Sequence, residues 1–137
     1  MTASPLFIFD KNGSARERHM ERVTLEKSKA FAVRIVNLHK YLCNEHKAYD
    51  IAKQILRCGT SIGANLSESE CAISRNDFKS KVYIALKEAC ETKFWIELLH
   101  DTDYIDDAAF NSIYEDCLEL IRLLMATTKT LSKTKSK

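Results

Sequence analysis

Glu97-Leu98-Leu99-His100 sets a carboxylate three residues before an imidazole, the E-x-x-H spacing with which helical bundles hold paired iron or manganese ions. Such a centre needs two of these motifs and two further inward glutamates, and the chain has no second E-x-x-H. His100 also falls at an expected helix end, where an imidazolium simply complements the helix dipole. His39, His46 and Ser61 are residue types of nucleophilic catalysis, but no G-x-S-x-G elbow is present to expose the serine. Gly59 and Gly63 lack the spacing and the following lysine of a phosphate-cradling loop. The five cysteines, Cys43, Cys58, Cys71, Cys90 and Cys117, are odd in number and never form C-x-x-C. Paired zinc spacing is therefore missing, and they read as buried small apolar residues in a reducing compartment. The expectation is a protein that is not an enzyme, with no metal site and no cofactor.

Cationic chemistry is better represented. Lys53 and Arg57 stand four apart on one helical face, and Arg75, Lys79 and Lys81 cluster further on. These five are the candidate nucleic-acid-binding residues: lysine and arginine neutralise phosphates without reading sequence, and such binding falls steeply with salt. The formal net charge of +2 conceals segregation along the chain. Lys11 to Lys87 holds 15 basic and 8 acidic residues, Glu88 to Glu119 holds 10 acidic and one basic, and Leu120 to Lys137 holds five basic and no acid. In an antiparallel bundle such blocks become patches of opposite sign.

The elements that must carry these residues follow from periodicity. At 137 residues there is room for one domain, and three glycines and one proline supply too little turn chemistry for a many-stranded fold. Phe31, Ile35, Leu38 and Leu42 alternate steps of four and three, which predicts a helix over about Thr24 to Glu45. A second stripe runs Ala48, Ala52, Ile55, Gly59, Ile62, Leu66, Ser69 and Ile73. Ser74-Arg75-Asn76-Asp77 is a capping-box-like start for a third, Phe78, Val82, Ala85, Ala89, Thr92, Ile96 and Leu99. Asp106 or Asp107 can cap a fourth, with Phe110, Ile113, Cys117, Leu120 and Leu124. Four such stripes with short joints predict an all-α, antiparallel up-down four-helix bundle.

The expected organisation is an N-terminal arm over 1–23, the bundle over 24–128 and a basic tail over 129–137. In the arm, Leu6, Phe7, Ile8 and Phe9 are candidates to dock on a neighbouring surface. Further apolar residues, Tyr114, Leu118, Ile121 and Met125 on the last helix and Leu86, Cys90 and Trp95 on the third, exceed what one bundle needs. That surplus predicts a homo-oligomer interface. No secretory signal or membrane span is visible, since the apolar opening Pro5 to Phe9 is far shorter than the roughly 18 residues a span requires, and cytoplasm is the expected compartment.

The segment Gln54 to Glu68, QILRCGTSIGANLSE, resembles the signature of a bacterial four-helix-bundle family. That family includes proteins encoded within intervening sequences of large-subunit ribosomal RNA genes, and the accessory variability determinant of diversity-generating retroelements. Its pattern is Q-L-x-R-A-x-x-S-I-x-x-N-I-A-E-G, followed by F-x-x-x-L-x-x-A-x-x-S-x-x-E. Gln54, Arg57, Ser61, Ile62, Asn65 and Glu68 match the first part, and Phe78, Ala85 and Glu88 or Glu91 fit the second. Ser69 stands where the family has glycine. The resemblance covers about Phe31 to Met125. It implies a pentameric bundle with a basic surface and, in the retroelement branch, contact with a reverse transcriptase and RNA.

Read on its own chemistry, the same segment brings small residues to one helix surface, so that another backbone can approach closely. Ser61 and Asn65, four apart, are the candidate polar lock that fixes helix register by hydrogen-bonding across the bundle. The functional expectation is an RNA- or nucleic-acid-binding accessory protein. The alternative is a protein-interaction scaffold that docks an acidic partner such as a reverse-transcriptase complex.

Overall fold

The stripes close on one another as four rods. The computed structural model describes residues 13–133 of the chain. Its helices are α1 (Ala15–His46), α2 (Tyr49–Ser69), α3 (Arg75–Asp101) and α4 (Asp107–Lys133). Each packs on the next, and α1 meets α4 to close the bundle. The register is antiparallel throughout: Ile35 faces Gly59 while Ser28 faces Gly63, and Arg57 reaches Glu88 while Glu68 reaches Lys81. This is the anticipated up-down four-helix bundle. Among the described residues no helix is long and apolar enough to cross a membrane.

The core is the set of stripes read from the sequence. All seven α3 positions from Phe78 to Leu99 are buried, as are Ala52, Ile55, Ile62 and Leu66 of α2 and Ile113, Cys117, Leu120 and Leu124 of α4. Leu38, Ala48 and Phe110 are only half-buried, and one position departs altogether. Ile73 is 90% exposed because α2 stops at Ser69, and Ala72 in the connection takes the buried place instead.

Two helices run further than their stripes indicate. Nine residues precede Thr24 in α1, started by a full capping box: Ser14 Oγ accepts from Glu17 N at 3.0 Å, and Ser14 N donates to Glu17 Oε1 at 2.9 Å. Part of the expected arm is thus helical, and Leu6 to Phe9 lie outside the described residues. At the other end α4 continues to Lys133, because Thr128 and Leu131 extend its buried stripe by two turns. The cap of α3 follows expectation, with Ser74 Oγ accepting from Asp77 N, and Asp106 caps α4 by accepting from Ala109 N at 2.8 Å.

Candidate functional site

The five basic candidates all lie on α2 and α3, yet antiparallel folding does not gather them into one patch. Lys53 and Arg57 sit in the first half of α2, beside the last half of α3. Arg75, Lys79 and Lys81 open α3, at the opposite end of the bundle. Arg57 spans the α2/α3 seam: its guanidinium donates to Glu91 and, at 3.4 Å, to Glu88. Glu91 also accepts from the indole of Trp95 at 3.0 Å. The Trp95 and Arg57 donors together hold the Glu91 carboxyl below its ordinary pKa, and Glu91 in turn raises that of Arg57. Lys81 pairs with Glu68 at 2.9 Å. Arg57 and Lys81 are therefore committed to neighbouring carboxylates, while Lys53 and Lys79 make no ion pair among the described residues.

Ser61 and Asn65 do face the seam with α3, but their hydrogen bonds stay within α2. Ser61 Oγ donates to Arg57 O at 2.7 Å, and Asn65 Nδ2 to Ser61 O at 2.8 Å. Half-buried in a helix, each finds its own i−4 carbonyl nearer than any group on the next rod. The fully buried hydroxyls behave alike, Ser28 bonding back to Leu25 O and Thr92 to Glu88 O. Helix register is set by apolar packing and close backbone approach, with no cross-bundle bond from this pair.

Glu97 and His100 are likewise taken up locally. Tyr114 and Lys93 both donate to the Glu97 carboxylate, which lowers its pKa. His100 meets Asp107 at 2.7 Å and stacks on Phe110. Cys58 and Cys117 are buried, and desolvation pushes the Cys117 thiol up to about 12, which suits a packing residue and no nucleophile. Cys71 and Cys90 are exposed, against expectation. Cys71 follows the end of α2, and Cys90 lies one turn before the exposed Phe94 on α3.

A different charge pattern emerges once the rods are folded back on one another. At one end stand Arg16, Arg18 and Arg22 of α1, Arg75, Lys79 and Lys81 of α3, and Lys129 and Lys133 of α4. The acids there are fewer, and several are engaged: Glu17 and Asp77 in helix caps and Glu68 with Lys81. The other end carries Glu45, Asp50, Asp101, Asp103, Asp106 and Asp107 against Lys47 and Lys53. The bundle is polarised along its axis, basic where α1 begins and α4 ends. The basic residues of α1 and α4 that complete this end are not among the five candidates named by number; they belong to the amino arm and the lysine tail, which the sequence offers as additions to that cluster, and the up-down path brings them there.

A family model described as 23S rRNA-intervening sequence protein matches residues 21–126. Among solved structures the chain resembles a protein with unknown function from the S23 ribosomal protein family of Bacteroides thetaiotaomicron VPI-5482. The two share 53% identity at a TM-score of 0.78, over 80% of this chain and 98% of that one. No curated protein matches.

Proposed function

Since the chain belongs to the family of 23S rRNA-intervening sequence proteins, we propose that it is a non-catalytic, homo-oligomeric accessory protein that holds RNA against the basic end of its bundle. The observation that carries this reading is the convergence of α1, α3 and α4 cations at one end, on three rods whose separation along the chain hides it. Convergent lysines and arginines bind phosphates through counterion release and do not read bases. Lys53 and Arg57, distant from that end, contribute less, because Arg57 already faces two carboxylates.

Repetition supports the reading. A weak patch repeated around an oligomer gains avidity without new interactions. Val33 (53% exposed) on α1, with Phe94 (54% exposed) on α3 and Met125 (56% exposed) on α4, gives the rods apolar surface beyond what their own core covers. The family resemblance implies five subunits.

Mobility shifts of a structured RNA hairpin over a salt series test the proposal. Wild-type binding should weaken steeply with salt, and Lys79→Glu combined with Lys129→Glu should reduce the logarithmic salt slope by about 2, roughly one for each phosphate no longer neutralised. Lys53→Glu should leave the slope nearly unchanged. No binding at low salt, or an equal reduction from Lys53→Glu, overturns the basic-end reading. Capture of an acidic protein partner without RNA binding would favour the scaffold alternative. Light scattering reports the subunit number, and Phe94→Glu with Met125→Glu should lower the mass.

A further inference from the structure

The acidic end of the bundle contains a cleft that the proposed RNA contact does not use. It opens between the last turns of α1, the α3–α4 connection and the first turns of α4, with a volume of about 690 Å³. Leu38, Ile105 and Ile113 form an apolar floor. Along one side runs an array of three rings: Tyr41 and His46 meet edge-on with centroids 5.2 Å apart, and His46 and Tyr104 do the same at 5.2 Å.

The charge of the cleft is set by Asp103 and Asp106 at its rim. Arg34, the only arginine or lysine of the lining, has its charge met by Asp116 at 2.7 Å and also donates to Ser112 Oγ at 2.9 Å. Asp106 uses Oδ1 to cap α4 and leaves Oδ2 for a ligand. Asp103 has no side-chain partner among the described residues. Its backbone sits in the left-handed region at φ 65°, which aspartate tolerates better than most residues. The adjoining N-terminus of α4 opposes a cation with roughly half a positive charge, but Asp106 and Asp107 in that turn exceed it. Aromatic faces, the Asp103 carboxylate and Asp106 Oδ2 over an apolar floor favour a cation with a hydrocarbon stem.

We infer that this cleft binds a small organic cation, an aliphatic amine or guanidine, with its charge against Asp103 and Asp106 and its stem along Tyr41 and Tyr104. The cleft and the basic end lie at opposite ends of the bundle, so ligand binding here does not depend on RNA. The probes are agmatine and spermidine, titrated by calorimetry and by amide chemical-shift mapping of the full chain without RNA. Saturable binding should appear, with shifts concentrated at residues 41–46 and 103–109. Asp103→Asn, which keeps a residue tolerant of the left-handed backbone, should weaken binding about tenfold, and Tyr104→Leu by a similar factor. Glu115→Gln, on the outer surface of α4 and outside the cleft, should have no effect. Melting curves of each variant show that the fold is intact. Absence of saturation at millimolar probe, shifts spread over the acidic surface, or equal weakening by Glu115→Gln would each overturn the inference.

Discussion

Helix α1 has two flanks that are built by opposite means. Against α2 it is drawn in until a side chain would not fit: a methyl added at Gly59 would lie 2.7–2.9 Å from the side-chain carbons of Ile35. One turn on, a methyl at Gly63 would lie 3.2 Å from Ser28 Oγ and 3.4 Å from Ser28 O. Against α4 the same helix is bridged by long charged side chains, Lys27 to Glu119 at 3.3 Å and Arg34 to Asp116 at 2.7 Å. That flank holds the 690 Å³ cleft at one end and a second cavity of about 240 Å³, beside Met20 and Leu131, at the other. Small residues draw the backbones together at the seam and leave a groove of about 550 Å³ outside it, where Ser28 and Ala32 face Thr60 and Ala64, whereas bridging side chains span a seam and leave room between the bridges. Packing stability is therefore expected to reside on the α2 side, where the contact is close, more than on the α4 side, where exposed ion pairs make it.

The largest effect should come from Ile35, which is fully buried against Gly59. Ile35→Ala should lower unfolding free energy by roughly 2–5 kcal/mol, read from urea denaturation. A loss under 1 kcal/mol would mean that the seam collapses easily and is not packed to its limit. Gly59→Ala sharpens the point. Alanine is worth about 1 kcal/mol more than glycine in a helix interior, but crowding in a filled core costs about 1–3 kcal/mol. The substitution should be neutral to destabilising in the wild-type protein and stabilising by about 1 kcal/mol in the Ile35→Ala background. Failure of the sign to reverse would remove Ile35 as the reason glycine stands at 59.

The two flanks also differ in how far they can be read from the chain. Gly59 and Gly63 lie four residues apart and both face α1, so their surface is visible in one helix at a time. The stripes Phe78 to Leu99 and Ile113 to Leu124 are legible for the same reason, since a 3.5-residue period is local. The opening of α1 is signalled too, in Ser14-x-x-Glu17, but interleaved Arg16, Arg18 and Arg22 carry no apolar period. Pairings across seams are another matter. Arg57 meets Glu88 and Glu91 more than thirty positions away, and Arg34 meets Asp116 over eighty. Nearness along the chain groups the basic candidates wrongly for this reason: the folded path places Lys53 and Lys79 at opposite ends and brings Lys129 to the end of Lys79.

On the bridged flank the expected effects are smaller. Arg34→Ala removes bonds to Asp116 and to both the hydroxyl and carbonyl of Ser112. The ion pair is 39% and 46% exposed, so solvent screens it and the loss should be no more than about 1 kcal/mol, diminishing in 0.5 M salt. A loss matching that of Ile35→Ala would erase the distinction between the flanks.

Gly63→Ala should give the smallest change and the finest test. Its added methyl meets one group that can rotate, Ser28 Oγ, and one that cannot, the Ser28 carbonyl. The hydroxyl is held to Leu25 O at 2.7 Å, and turning it away forfeits a hydrogen bond of about 1 kcal/mol, close to what alanine gains in helix propensity. The two should cancel to within about 0.5 kcal/mol. Pairing Gly63→Ala with Ser28→Ala removes the hydroxyl and its bond together, so the propensity gain should reappear as about 1 kcal/mol relative to Ser28→Ala alone. If it does not, the obstacle is the fixed carbonyl, and the two backbones are already as near as an α-helix with side chains permits.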